Sequence, residues 1–292
     1  MADSPEAEYG LEETGLRELL RANGLAYAED PLTLITSGWD NDIWRLGTER
    51  AVRVPRRGLA DQLILNEQRV LPTIAERLAP SGVAVPAPLH AGAESDLFPH
   101  PWSVVPWISG VAAWDVPRQA RTAWATDLAH ALHLLHVPCG PDAPTNPYRG
   151  VPLAQRAEAI AARFAAVDAP AAARAAWECA VAAPAHAGPP VWIHGDLHPG
   201  NLVVDGSRLA AIVDFGDVAG GDPAYDLAAA WLLFDADGRQ RFIERTAVAD
   251  DALWIRARGW AAAVGAILLS QSDDRPDYAA LGTEILAEVA AD

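Results

Sequence analysis

The residues best placed by type and spacing to do chemistry lie in one stretch, "VWIHGDLHPGNLVVDGSRLAAIVDFGD", from Val191 to Asp217. It puts His194, Asp196, His198 and Asn201 on a segment broken by glycine and proline, and Asp214 after an apolar run. Polar segments held between rigid elements are where function-bearing side chains concentrate. "LVV" and "LAAIV" read as two short buried strands joined by "DGSR", a hairpin signal. Such a hairpin leaves Asp196, Asn201 and Asp214 at strand ends, facing a common space. Taken by residue type alone, His194, Asp196 and His198 form an H-x-D-x-H cluster, which admits a metal-dependent hydrolase. That chemistry favours a transition metal with nitrogen ligands, and the histidines at 90, 100, 130, 133, 136 and 186 lie in no partner motif.

The elements that must position these residues fall into two halves. "SPEAEYGLEETGLRELLRANG" reads as an amphipathic helix stopped by Gly24. "LTLITSG", "DIWRLG" and "RAVRVP" read as three strands of an antiparallel meander, and "VAVPAPLHAG" and "PWSVVPWISG" as strands four and five. Between them "GLADQLILNEQRVLPTIAERLAP" is a helix that Pro72 divides in two. Residues 1–108 thus make a small sheet with one inserted helix. Residues 109–292 are mostly helical, with Leu128, Leu132 and Leu135 at helical spacing and an alanine-rich stretch from Leu153 to Ala187 broken near Pro170. "DPAYDLAAAWLLF" starts a further helix with Asp222 as N-cap and Pro223 at its first position. Two or three more helices complete the chain.

Bulk composition narrows the classes. At 292 residues the chain has room for two lobes, and 51% hydrophobic with 21% charged residues is globular composition. A net charge of −17 argues against a nucleic-acid partner, which needs a basic footprint. The same acidity attracts cationic small molecules or simply maintains solubility. All 22 basic residues are arginine, so a mechanism that requires lysine is excluded. Cys139 and Cys179 show neither metal-ligand spacing nor a disulfide framework. "MADSPEAEYG" lacks a basic and apolar leader pattern, and no apolar run approaches the ~18 residues of a membrane span. The expectation is a reduced, cytoplasmic protein with no membrane partner.

With these residues laid out, the chain resembles the aminoglycoside phosphotransferase family, small-molecule kinases with the protein-kinase-like fold. "HGDLHPGN" is similar to that family's catalytic loop, "IVDFGD" to its metal-binding segment, and "GDPAYDLA" to the run that follows. The spacings agree, five residues from Asp196 to Asn201 and eighteen from Asp196 to Asp214. The resemblance extends from the strand loop near Ser37 to Trp231. It implies an α+β, two-lobed fold with a five-stranded antiparallel N-lobe, and transfer of the γ-phosphate of ATP or GTP to a hydroxyl of a small molecule. An antibiotic of the aminoglycoside type is the first expectation for the acceptor. A small-metabolite kinase of the same fold or a non-catalytic nucleotide-binding protein are the alternatives.

The resemblance also implies site roles. Asp196 orients or accepts the acceptor's hydroxyl proton, and Asn201 and Asp214 are oxygen ligands for Mg²⁺. His194 belongs to the catalytic loop, more as a brace than as a proton carrier, and His198 reads as a loop histidine facing solvent or packed beside Pro199. Asp226 corresponds to a buried aspartate that holds the loop. Arg53 stands where such kinases usually carry a lysine, with Glu67 as its partner, and a guanidinium is bulkier there than an ammonium. Backbone N–H groups near Ser37 and Gly38 approach the phosphates. In "SVVPWISG" the Pro106 carbonyl and the Ile108 amide are the base-reading groups, a register that proline's missing N–H permits. The acceptor would be met by the helices that follow, where Trp231, Phe234, Asp235, Asp237, Glu244, Trp254, Trp260, Asp273, Asp274 and Asp277 are the aromatic and acidic residues. "PTNPYRGVPL", with Tyr148 and Arg149 exposed, is either a second wall of that pocket or a structural connection.

Overall fold

Short β-rich runs punctuated by glycine build the first half of the chain, and alanine- and leucine-rich runs build the second. The computed structural model describes residues 6–272 and 275–292. In chain order its elements begin with α1 (Glu13–Ala22), β1 (Leu32–Ser37), β2 (Asn41–Leu46), β3 (Arg50–Pro55), α2 (Leu59–Leu78), β4 (His90–Gly92), β5 (Trp102–Pro106) and β6 (Val111–Ala112). Then come α3 (Ala125–Leu135), α4 (Ala157–Ala166), α5 (Ala171–Ala182), β7 (Val191–Ile193), β8 (Leu202–Asp205), β9 (Arg208–Ile212) and β10 (Ala219–Gly221). Helices α6 (Ala224–Leu227), α7 (Ala229–Leu233), α8 (Ala236–Thr246), α9 (Asp251–Ser270) and α10 (Pro276–Ala291) complete it.

Five strands form one antiparallel sheet in the order β1-β2-β3-β5-β4. Leu16, Leu19 and Leu20 of α1 cover one face of it, packing with Trp44, Leu46, Val52, Val54, Trp102 and Val104. The helix starts at Glu13 rather than at the serine expected to open it. Residues 6–12 include a segment tied down by backbone bonds from Glu8 and Tyr9 to the Arg56 carbonyl and by the Tyr9 hydroxyl on Asp61. Residues 1–5 lie outside the described residues. Strand four is also shorter than its apolar run: Ala84 leaves this sheet and bridges Ala211 in parallel, and only His90–Gly92 pair with β5.

Helix α2 is continuous through Pro72, which the sequence reads as a break. Pro72 sits on the exposed side of the helix, while Val70, Leu71, Ile74 and Leu78 point inward and hold it in place. That apolar stripe joins the large core of the helical half, with Leu128, Leu132 and Leu135 of α3 and Phe215. Two small sheets, β6-β8-β9 and β7-β10, stand between α2 and the helices and carry the loops of interest.

The helical half follows its composition, with α4 and α5 separated around Pro170. Asp222 accepts the Ala224 amide at 3.0 Å, so the α6 cap lies one residue later than expected. The same Asp222 carboxylate holds buried Arg256 at 2.7 Å. Among the described residues α9 alone is long and apolar enough to cross a membrane, contrary to the reading that no run approaches that length. It packs on α5 and α10, and ten of its residues are buried there.

Candidate active site

The loop between β7 and β8 is held from beneath by one carboxylate. Asp226, with a fully buried side chain on α6, accepts the amides of His194 at 2.7 Å and Gly195 at 2.9 Å and the His136 Nε2–H at 3.1 Å. Burial alone would raise its pKa, but the His136 hydrogen bond and the nearby imidazoles hold it below the usual carboxylate range. Gly195 has φ +84, and a Cβ there would stand 2.6 Å from the Asp217 carbonyl. Glycine is therefore required at this turn.

His194 is a brace. Its Nδ1 accepts the Asp196 amide at 3.1 Å and its Nε2 meets the Val213 carbonyl at 3.0 Å, so both ring nitrogens of this buried imidazole are engaged. This corrects its inclusion among the catalytic groups, and it removes the H-x-D-x-H metal cluster as well. Among the described residues no group of three or more His, Cys, Asp or Glu side chains is placed to hold a metal ion. His198 is not free either. Its Nδ1 accepts the Gly200 amide at 3.0 Å, its Nε2 lies 3.7 Å from Asp196 Oδ2, and its ring meets Trp114 and Tyr278 edge to face.

Two polar groups, one from each half, meet here through the backbone of the hairpin. Asn201 donates through Nδ2 to the Asp196 carbonyl at 2.9 Å and to Asp196 Oδ2 at 3.3 Å. Its own carbonyl accepts the Val213 amide at 2.9 Å, next to Asp214. Asp214 adopts φ +60, an uncommon conformation for a non-glycine residue, and its side chain is 54% exposed. Its Oδ1 meets Arg53 Nη2 at 3.2 Å, and Arg53 Nη1 reaches Glu67 Oε1 on α2 at 2.7 Å. Burial pushes the Glu67 carboxyl up, against the pull of Arg53. Glu67, expected as the partner of Arg53, is buried with it.

The nucleotide-side expectations divide. Trp107 donates its amide to Glu49 at 2.8 Å, so strand alternation turns the Pro106 carbonyl and the Ile108 amide away from β3. Gly38 departs from expectation. Its amide closes the β1–β2 turn on the Asn41 carbonyl at 2.8 Å, and its carbonyl accepts Arg56 at 2.5 Å, so that N–H is not open to a phosphate. Ser37 remains exposed at the end of β1. Arg56 pairs with Asp42, and Arg57 pairs with Asp40 while lying 5.8 Å from the Trp39 ring, so two arginines brace this turn.

The acceptor-side expectations are largely overturned. Trp231 is 2% exposed and belongs to the core, stacked edgewise on Trp254. Asp235 caps α8, accepting the Gly238 amide at 3.0 Å and the Thr122 hydroxyl at 3.2 Å. Phe234 and Trp260 are buried as well, and Asp273 and Asp274 lie outside the described residues. Tyr148 is 61% exposed, with Arg156 stacked 4.9 Å from its ring. Arg149, expected beside it in solvent, instead turns inward to the catalytic loop. Its Nη1 meets Asp196 Oδ1 at 2.6 Å and the Tyr225 hydroxyl at 3.3 Å, and its Nη2 meets Asp217 Oδ2 at 2.9 Å. Burial would raise the Asp196 carboxyl, but Arg149, helped by His198 and His194, holds it down at about 2. Reading by motif missed Arg149 and Asp217, since only the "NPYRG" turn signal marks that loop.

A model of the family described as "Phosphotransferase enzyme family" matches residues 31–262. No curated protein sequence matches the chain. Among solved structures, the GDP complex of wild-type aminoglycoside 2'-phosphotransferase-IIIa superposes with a TM-score of 0.69 at 18% identity, over 96% of this chain and 99% of that one. The macrolide 2'-phosphotransferase MphH from Brachybacterium faecium gives 0.62 at 21% identity, over 92% and 97%. The ternary complex of a thermostable aminoglycoside phosphotransferase APH(4)-Ia mutant with AMP-PNP and hygromycin B gives 0.60 at 19% identity, over 94% and 98%. These likenesses carry the two-part α+β fold.

Proposed function

The chain belongs to the phosphotransferase enzyme family, and from that premise we propose that it moves the γ-phosphate of ATP or GTP onto a hydroxyl of a small molecule, an antibiotic of the aminoglycoside or macrolide kind. The observation that carries this reading is the meeting of two polar groups, Glu67–Arg53–Asp214 and Asn201–Asp196, joined through the backbone where the Val213 amide bonds the Asn201 carbonyl. It puts a cation anchored by a carboxylate next to hard oxygen donors and an ionised aspartate. Phosphoryl transfer asks the protein mainly for positioning and charge neutralisation.

Asp196 orients the acceptor hydroxyl. Held ionised well below neutrality, it is a weak base, so it acts by accepting a hydrogen bond from the hydroxyl and takes the proton only as the bond to phosphorus forms. Asn201 and Asp214 fit a magnesium ion. The Asn201 Nδ2 is turned to Asp196, which leaves the amide oxygen for a ligand, and Asp214 has a half-exposed carboxylate. A magnesium ion held there would supply neutralisation of the phosphate charge. Arg53 offers a guanidinium fixed by Glu67 to the phosphates, and the Pro106 carbonyl and Ile108 amide receive the base.

Neighbours of the same fold, captured with GDP and kanamycin or with AMP-PNP and hygromycin B, support a nucleotide and an antibiotic as the pair of substrates. The test is release of ADP or GDP by the intact protein over a panel of aminoglycosides, macrolides, amino sugars and choline-like amines, alongside Asp196→Ala. Magnesium-dependent turnover of an antibiotic, lost in the variant with nucleotide binding retained, is the expected result. Turnover of the amines or amino sugars alone moves the assignment to a metabolite kinase. Equal nucleotide binding with no turnover in either protein overturns the enzyme reading.

A further inference from the structure

The loop from Pro144 to Gly150, fifty residues before the catalytic motif, is built to deliver one side chain. Asn146 Oδ1 accepts the amides of Tyr148 at 2.9 Å and Arg149 at 3.2 Å, while its Nδ2 donates to Asp217 Oδ1 at 2.7 Å. Both ends of the loop are pinned to β10 and the residue after it: the Gly220 amide donates to Pro144 at 3.0 Å and the Asp222 amide to Gly150 at 2.8 Å. Gly150 has φ +64, and a Cβ there would meet Ile193 at 2.4 Å, so the loop lies directly against β7. Nothing in an ordinary surface connection requires this much fixing.

We infer that Arg149 is a positioning residue for phosphoryl transfer: its guanidinium, braced by Asp217 and Tyr225, holds one oxygen of Asp196 and leaves the other to the acceptor hydroxyl. This rests on the assignment of Asp196 in the proposed function. The division of labour follows from the contacts. Asp196 Oδ1 takes the 2.6 Å bond from Arg149, whereas Oδ2 has only the 3.3 Å contact from Asn201 and a 3.7 Å approach from His198. A carboxylate oxygen accepts two hydrogen bonds, so Oδ2 keeps capacity for a hydroxyl. The planar fork matters because two carboxylates must be bridged at once, which a single ammonium cannot do with the same geometry. Arg149 has no contact with Arg53, Glu67 or Asp214, so its influence is confined to the acceptor side.

The experiment measures turnover of Arg149→Met, Arg149→Lys, Arg149→Ala and Asp217→Asn as nucleoside diphosphate release, with the best acceptor of the panel, or with water where no acceptor is used. Arg149→Met is expected to lose roughly 10²-fold in kcat, the scale of a misplaced catalytic group. Nucleotide KM should stay within two-fold, and added guanidinium should restore part of the Arg149→Ala activity. Lys should recover part of the loss, and Asp217→Asn should fall between Lys and Met. The double variant with Asp196→Asn should lose nothing beyond Asp196→Asn alone, because the two act as one unit. If Arg149→Met turns over within two-fold of wild type while Asp196→Asn is impaired, the inference fails and the proposed function stands. If Asp196→Asn itself is unimpaired, the fault lies with that earlier assignment. A variant that loses nucleotide affinity and thermal stability together, with no guanidinium rescue, shows a merely structural role and also overturns the inference.

Discussion

Replacing Asp226 by asparagine tests whether one buried carboxylate sets the catalytic loop. The change keeps the side chain's shape and removes half of its accepting capacity. In the wild type the two oxygens receive the His194 and Gly195 amides at 2.7 and 2.9 Å, with His136 at 3.1 Å. An asparagine oxygen can keep one amide, and its NH₂ then faces the other donor. A hydrogen bond to a charged group contributes about 1.5–3 kcal/mol, and a buried donor left without a partner costs about 1–3 kcal/mol. The sum is about 2.5–6 kcal/mol, a large share of the roughly 5–15 kcal/mol that holds a domain folded. At about 2–4 °C per kcal/mol the midpoint should fall by on the order of 10 °C. The pH dependence gives a second handle. The Asp226 carboxyl is held below its usual range in the folded state, so its contribution is complete above an unfolded value of about 3.9 and disappears as pH falls through the folded one. The gap in midpoint between wild type and variant should therefore be full at neutrality and narrow below about pH 4. Thermal melts followed by circular dichroism at several pH values measure both effects. A gap under 2 °C at neutral pH, or one that widens with acid, would refute the reasoning.

Four further substitutions probe other links. Asp196→Asn should reduce turnover by on the order of 10²-fold with nucleotide affinity unchanged, as expected for loss of the group that orients the hydroxyl; isothermal titration beside steady-state kinetics separates the two. Arg53→Lys should lower kcat/KM for the nucleotide by about 10–100-fold, since one ammonium cannot keep both the Glu67 and the Asp214 contact and each such bond contributes about 1.5–3 kcal/mol. Gly195→Ala should lose at least the 1–2 kcal/mol of a left-handed alanine, about that much in a denaturant midpoint, with turnover falling further because the new Cβ displaces the loop from Asp217. Trp231→Ala should cost about 3–5 kcal/mol in unfolding free energy as a core deletion, with acceptor KM unchanged in the protein that remains folded.

How far the sequence reaches depends on the range of the interactions. The catalytic loop and the hairpin behind it were legible because their residue types and spacings are local, whereas the Arg53–Glu67 pair was expected only from the resemblance to the kinase family. For the hinge, proline's missing N–H permits the register in which Pro106 offers its carbonyl, and the structure turns that carbonyl away from β3. Arg149 was not legible, since it meets Asp196 across 47 residues of chain and a loop of turn residues says nothing about where a long side chain points. Trp231 and Asp235 misled for a related reason. An aromatic or acidic residue reads the same whether it faces a ligand, fills a core or caps a helix, and only the packing of α7 and α8 decides. Pro72 shows that a local rule yields when the proline lies on the exposed side of a helix whose other side is firmly seated.

That seat has a mechanical consequence. The helix bearing Glu67 is rooted by Val70, Leu71, Ile74 and Leu78 in the same apolar mass as the C-terminal helices, whereas Arg53 rides on the sheet. The 2.7 Å contact between them joins the sheet to that mass, beside the Gln68 bonds to the Trp102 carbonyl and Ser103 hydroxyl on β5. A tilt of the sheet would load the Arg53–Glu67 pair and the Gln68 bonds together, so under the proposed function the grip on a nucleotide follows the angle of the sheet.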